Sequence, residues 1–432
     1  MAGLARPVTG LLTDRYELTM LGAALGDGTA QRQCSFEVFA RRLPEGRRYG
    51  VVAGTARLIE ALADFTFPAE TAEWLLATGV VDARTAEYLA CYRFSGDIDG
   101  YPEGELFFPQ SPLLTISGTF AEAVVLETLV LSILNHDAAI AAAAARMVVA
   151  AQGRPIIEMG SRRTHEEAAV AAARAAYLAG FASTSNLAAQ HRFGVPTAGT
   201  AAHAFVLLHD DEESAFRSQV AAMGAGTTLL VDTFDITSAI DTAVKVGGTD
   251  LGAIRIDSGE LGVMSAHART QLDALGARGT RIVVSGDLDE FAIAALAVAP
   301  VDTYGAGTAV VTGSGAPTAG LVYKLVAVDG RPVAKRSEQK ASHGGHKLAY
   351  RTHKPSGTAV EELVVTEPGW EPPADAEPLQ RALVRDGVAV DGLPTLEQSR
   401  DHLRSALITL PWDGLKLAKG EPAIPTRLIP SS

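Results

Sequence analysis

The stretch Gly199-Thr200-Ala201-Ala202-His203-Ala204-Phe205 places a lone histidine just past a short run of threonine and alanine. At the carboxyl end of a barrel strand, where α/β barrels keep their chemistry, a histidine can be a base, a metal ligand or a nucleophile. No second histidine or cysteine stands at metal-ligand spacing, and no GxSxG-type motif accompanies it. A packed structural histidine is one reading. The other is a nucleophile towards a phosphoryl group: neutral imidazole is available near pH 7, and the phosphoramidate it forms stores phosphoryl-transfer energy.

Four other segments could hold an anion or a sugar. In Gly305-Ala306-Gly307-Thr308 the glycines let backbone N–H groups approach a phosphate, although an ordinary glycine turn would look the same. Ser285-Gly286-Asp287 could grip sugar hydroxyls or an Mg²⁺-bound oxygen; alternatively Asp287 or Asp289 caps a helix starting near Glu290. Arg255 and Asp257 lie two apart on a predicted strand and so share a face. Arg255 must then meet Asp257 or a ligand carboxylate, because an unpaired buried guanidinium is costly. Gly160-Ser161-Arg162-Arg163 presents adjacent arginines that could clamp phosphates, followed by His165, Glu166 and Glu167 at a helix start. His165 reads as a surface or capping group.

These segments need strands to position them. Short apolar strands are predicted at Pro155–Met159, Ala182–Ser185, Thr197–Ala202, Thr228–Asp232, Ala253–Asp257, Arg281–Ser285 and Asp302–Tyr304, each followed by a polar loop and an Ala-rich helix. Asn186, Asp232, Asp235 and Ser258 also fall at strand ends. So many polar groups on one face favour a closed barrel over an open sheet. Before the barrel, helices are predicted from Asp14 (with Glu17 completing a capping box), at Ala56–Ala63 and at Ala69–Ala77. Strands are predicted at Phe36–Arg41, Leu106–Phe108 and Leu113–Ser117. After Lys324 a hairpin turns at Asp329-Gly330, and the Pro-rich tail reads as irregular. The expected division is an α+β part at 1–127, an α/β barrel at 128–324 and a return segment at 325–432 that completes a discontinuous α+β domain.

The 432 residues carry a formal net charge of −13, which argues against a nucleic-acid partner. Basic residues still cluster at Arg41, Arg42, Arg47 and Arg48, and at Lys335, Arg336 and Lys340. The two cysteines, Cys34 and Cys91, suit a reducing compartment. The expectation is a cytoplasmic protein without a signal peptide or membrane contact, its apolar run at 121–151 forming buried helices.

Taken together, the segments resemble nicotinate phosphoribosyltransferase over most of the chain. The resemblance rests on Thr13-Asp14-Arg15-Tyr16-Glu17-Leu18-Thr19-Met20, Phe36-Glu37-Val38-Phe39 with Arg41, Gly160–Arg163, the His203 stretch, Arg255-Ile256-Asp257-Ser258-Gly259, Ser285–Asp287 and Gly305–Thr308. It implies an irregular TIM-like barrel with a discontinuous α+β domain, of type II phosphoribosyltransferase kind, in a homodimer with shared active sites. The implied reaction joins nicotinate to 5-phosphoribosyl 1-diphosphate with Mg²⁺, coupled to ATP through a phosphorylated His203. Tyr16 would stack on the base, while Thr200 and Arg255 hold its carboxylate. Arg162, Arg163, Ser285, Gly286, Gly307 and Thr308 would bind the phosphoribosyl donor. Asp257 and Asp287 would be catalytic and face ribose hydroxyls or Mg²⁺. Three positions depart from the family pattern: Arg15 for a common leucine, Ala204 for a frequent serine, and His343 where Pro-Gly is usual. Nicotinamide phosphoribosyltransferase is the nearest alternative, although Arg255 favours an acid over an amide. A quinolinate enzyme, a barrel lyase and a non-catalytic metabolite-binding protein fit less well.

Overall fold

The computed structural model describes residues 9–335, 343–366 and 369–429. The chain forms two compact units, Met1–Ala139 with Thr318–Ser432, and Ile140–Pro317. Both divisions differ from the expected 127/128 and 324/325, for reasons of packing. The helix Glu127–Ala151 starts inside the first unit, where Leu129, Val130, Ile133, Leu134 and Ala138 join the apolar core. The strand Leu321–Val328 pairs with Gln33–Ala40, so the return begins before residue 325.

In the first unit, a seven-stranded antiparallel sheet runs in the order Arg331–Pro332, Leu321–Val328, Gln33–Ala40, Leu114–Thr119, Asp97–Gly100, Arg381–Arg385, Val388–Ala389. Chain ends far apart in sequence therefore share one sheet. The Phe36 and Tyr323 rings stack across the central pair at 4.8 Å. The buried Lys347 ammonium donates to Glu37 at 2.8 Å. The expected hairpin forms, with Asp329 and Gly330 both at positive φ. The tail is more ordered than its prolines suggest: a four-stranded sheet (Ala376–Pro378, Leu348–His353, Ala359–Val365, Thr426–Ile429) and the capped helix Leu396–Thr409. The Asp14–Glu17 capping box is absent. Asp14 stands at the N-cap without a side-chain bond, because Glu17 is buried and engaged by the Thr13 and Thr128 hydroxyls.

Glu105 shows how burial and pairing compete in this unit. Burial raises its carboxyl, but the hydrogen bond from His402 and the charge of Arg351 outweigh that and hold it at about 2, against the usual 4.5. A carboxylate depressed on folding stabilises the protein above its unfolded value, and that contribution is lost as pH falls through the folded one. Glu105→Gln is expected to lose most stability above about pH 5, with the gap to the parent closing between about pH 4.5 and 2. Urea midpoints across this range check it; a gap independent of pH would contradict it.

The helix Glu127–Ala151 is long and apolar enough to cross a membrane by length and composition, yet 72% of its most apolar window is buried within the protein. Its charges are paired inside: Asp137 with Arg57 at 2.7 Å, and Arg146 with Glu290 at 3.0 Å.

The second unit holds six parallel strands: Ile156–Glu158, Ser183–Thr184, Thr228–Leu230, Ala253–Ile256, Arg281–Ser285 and Thr303–Ala306. Helices follow them, as in repeated βα units. The last strand pairs back onto the first, which gives the barrel-like order. The sheet is open only between the second and third strands. The third of the seven expected strands, Thr197–Ala202, would lie there. It makes a single bridge, Thr184 to Thr197, and then leaves the sheet. Its Ala-Gly-Thr-Ala-Ala sequence has little of the β-branched and aromatic surface that holds a strand.

Candidate active site

Parallel strands aim their carboxyl ends one way, so the loops that follow gather on one face. Four of these loops line a cavity of about 230 Å³ in the second unit. The first strand supplies Met159, Arg162 and Arg163, and the fourth supplies Arg255 and Asp257. The fifth contributes Ser285, Gly286 and Asp287, and the sixth Gly305, Gly307 and Thr308.

Arg255 organises one wall. Its Nε donates to Ser285 Oγ at 2.7 Å, Nη1 to Thr200 Oγ1 at 3.0 Å, and Nη2 to Asp257 Oδ1 at 2.7 Å. The salt bridge and the ligand role are therefore compatible. A guanidinium has five N–H donors, three are used here, and two are left for a bound anion. The Ser285 hydroxyl also donates to Asp257. Burial raises the Asp257 carboxyl, but the bonds from Ser285 and Arg255 and the Arg255 charge bring it below its usual value. Asp257 is thus a firm carboxylate facing the cavity.

Close backbone approach shapes the glycine loops of the cavity. A Cβ on Gly305 would sit 2.8 Å from Met159 Sδ, and one on Gly286, where φ is +115°, would sit 2.7 Å from the Asp257 carbonyl oxygen. Glycine is required at 286, where both φ and the backbone contact exclude a side chain; at 305 a side chain would have to displace the Met159 thioether. The competing cap assignments separate cleanly. Asp289 caps the helix Glu290–Ala295, accepting from Phe291 and Ala292 N–H groups at 3.0 and 2.7 Å. Asp287, at φ +44°, is left exposed at the cavity.

His203 opens the short helix His203–Leu207 at the open seam of the barrel, with its side chain 42% exposed. Its Nδ1 lies 3.1 Å from Thr233 Oγ1, and its Nε2 lies 3.8 Å from Asp232 Oδ1. The Asp232 side chain is almost fully buried. Its Oδ2 accepts from the Asp257 N–H at 2.9 Å and the Ser258 hydroxyl at 2.7 Å, while Oδ1 has no hydrogen-bond partner. One buried carboxylate therefore stands between the histidine and the Asp257 loop. Thr233 went unnoticed in the sequence. Its signal is its place directly after Asp232, on the loop of the third strand.

The remaining sites separate into those at the cavity and those elsewhere. Arg162 and Arg163 are exposed at its rim, and no ion pair to either is found among the described residues. His165 caps the helix Glu166–Leu178, Asn186 caps Leu187–Phe193, and Asp235 caps Ile236–Gly247. Tyr16 belongs to the first unit, on the helix Arg15–Asp27; burial and the neighbouring Glu127 carboxylate raise its hydroxyl well above the usual tyrosine range. Of the basic cluster, Arg336 and Lys340 lie outside the described residues. Among those described, no three His, Cys, Asp or Glu side chains come together as a metal site.

Comparison with known proteins adds an independent line. Residues 11–135 match the model of the nicotinate phosphoribosyltransferase N-terminal domain, and residues 140–314 that of the quinolinate phosphoribosyl transferase C-terminal domain. A protein named nicotinate phosphoribosyltransferase from Mycobacterium tuberculosis is 63% identical over 98% of this chain and 96% of its own. The human protein of that name is 31% identical over 92% and 90%. A crystal structure of human nicotinic acid phosphoribosyltransferase matches with a TM-score of 0.81, at 26% identity and over 97% of each chain.

Proposed function

The chain belongs to the nicotinate phosphoribosyltransferase family, and from that premise we propose that its barrel cavity joins nicotinate to 5-phosphoribosyl 1-diphosphate in NAD salvage. The bond from the anomeric carbon to the diphosphate oxygen breaks, and a bond from that carbon to the pyridine nitrogen forms. Nicotinate mononucleotide and diphosphate leave. The observation that carries this reading is Arg255: it is fixed by Thr200, Ser285 and Asp257 and still has donors for a carboxylate. An amide offers one acceptor oxygen and an N–H₂ where a carboxylate offers two acceptor oxygens, so the same wall favours nicotinate over nicotinamide.

The rest of the cavity suits the other substrate. Arg162, Arg163 and Arg255 concentrate positive charge in a chain of net charge −13, as a polyanion requires. The Gly305–Thr308 loop offers close backbone approach to the 5′-phosphate, with Gly286, Ser285 and Thr308 beside the sugar. Asp257 is ionised and can support positive charge developing at the anomeric carbon, where positioning and electrostatics matter more than a strong base. The donor set fits Mg²⁺ brought in by the diphosphate, because that ion keeps its waters and needs only one or two carboxylates. Asp257 and Asp287 would supply them, and the ion would neutralise the leaving diphosphate.

The reading extends to ATP coupling by phosphorylation of His203, which is half-exposed and held between Thr233 and Asp232. It also takes the protein as a cytoplasmic homodimer in which Tyr16 stacks on the base. The test is a substrate panel of nicotinate, nicotinamide and quinolinate, each with the phosphoribosyl donor, with and without ATP. Diphosphate release stimulated by ATP is expected with nicotinate alone. Equal turnover of nicotinamide would overturn the acid assignment.

A further inference from the structure

Arg162 and Arg163 must be placed by their backbone, since no ion pair to either is found among the described residues. That backbone is a turn: the Arg163 N–H donates to the Gly160 carbonyl at 2.8 Å. Beneath it lies Glu158, the last residue of the first barrel strand and only 1% exposed. One Glu158 oxygen accepts from the Gly160 N–H, and the other accepts from the Thr184 hydroxyl at 2.5 Å. That hydroxyl in turn accepts from the Asn186 N–H at 3.0 Å. Asn186 closes the circuit, its Nδ2 donating to Ser161 Oγ at 3.0 Å. Its Oδ1 is committed to the Ala189 N–H at 2.9 Å, which fixes which end of the amide faces Ser161.

Gly160 is thus tied to Glu158, itself bonded to the second strand, and Ser161 to the loop after that strand, while the last two residues of the turn carry the guanidinium groups. Space enforces the same placement. A Cβ on Gly160 would sit 2.2 Å from Val311 Cγ1 and 3.0 Å from the Gly307 carbonyl oxygen, so the turn is pressed against the Gly305–Thr308 loop. Nothing in the reaction uses Glu158 directly. Burial pushes its carboxyl above the usual value, and the bonds from Thr184 and Gly160 pull it back part of the way.

We propose that Glu158 is a positioning residue for the phosphoribosyl donor, its two carboxylate oxygens holding the Gly160–Arg163 turn so that Arg162 and Arg163 meet the donor's phosphates. This rests on the reading of the cavity as the donor site. A carboxylate offers an acceptor oxygen to each of two donors, whereas glutamine offers only one. In Glu158→Gln one of the two donors loses its partner, although volume is kept.

Glu158→Gln is expected to raise the KM for 5-phosphoribosyl 1-diphosphate roughly tenfold, the scale of one charge-assisted hydrogen bond. The nicotinate KM should stay within about twofold and kcat should change less than the donor KM. Ser161→Ala, which removes only the second tether, is expected to raise the donor KM by a smaller factor at an unchanged Tm. It carries the test if the Glu158 variant does not fold. Arg163→Ala and Arg162→Ala serve as references. If they raise the donor KM while Glu158→Gln and Ser161→Ala leave it at the parent value, the positioning role is overturned, and a lower Tm alone would mark Glu158 as a strut. If neither arginine variant moves the donor KM, the donor-site reading fails and this inference falls with it.

Discussion

Replacing His203 with alanine is expected to abolish the response of turnover to ATP while leaving ATP-independent synthesis in place. The imidazole sits outside the cavity-lining set, at the start of a five-residue helix, so its loss removes no donor from the substrate wall. It would remove the only phosphoryl acceptor the reading assigns. Loss of a nucleophile that acts as part of a unit is a large effect, on the order of 10³-fold or more in the step it serves. Two measurements check this together. Nicotinate-dependent diphosphate release is compared with and without ATP, and incorporation of label from γ-labelled ATP is followed in parent and variant. Full ATP stimulation in the variant, or label retained on it, would remove His203 from the coupling.

Arg255→Ala is expected to raise the nicotinate KM roughly 10²-fold, in keeping with about 2–5 kcal/mol for truncating one partner of a desolvated, hydrogen-bonded charge pair. The KM for the phosphoribosyl donor should move much less. The split is the informative quantity, because Arg255 is also the partner of Asp257. If it served mainly as a strut, its loss would disturb Asp257 and Ser285 together, and both substrates would suffer alike. Arg255→Lys sharpens the comparison: an ammonium keeps the charge but cannot reproduce the three-way fork to Thr200, Ser285 and Asp257.

Much of the site was legible because its residues follow strands of recognisable pattern. Arg255 and Asp257 two apart, Asp287 after Ser285, and the glycines at 305 and 307 all come to the same cavity. The Arg255–Asp257 pair was legible from its spacing, but the long-range partners were not. The Arg255–Thr200 bond spans 55 residues and the His203–Thr233 bond 30, and no local rule pairs them. The missing strand at Thr197–Ala202 has a local cause that was available: its alanines and glycine make a poor strand. The tail misled for the opposite reason. Its prolines hid a second hairpin at Asp386-Gly387, both at positive φ, which has the same signature as the one at Asp329-Gly330. The first domain limit shifted because a long helix gives no internal mark of where its neighbours change, and the second because the strand Leu321–Val328 pairs with one made far earlier.

The seven-stranded sheet of the first unit also sets an order of events during synthesis. Its strand Gln33–Ala40 takes one neighbour, Leu114–Thr119, from nearby in the chain, but the other, Leu321–Val328, is made about 280 residues later. At roughly 5–20 residues per second the wait is on the order of 15–60 s. Throughout it, one edge of Gln33–Ala40 lacks its native partner, whereas the inserted barrel, contiguous in sequence, has its last strand by Ala306, before Leu321 is made. An open edge is a template for another chain. The ribosome therefore finishes the barrel first, and the newborn N-terminal half is the part most exposed to mispairing until its last strands arrive.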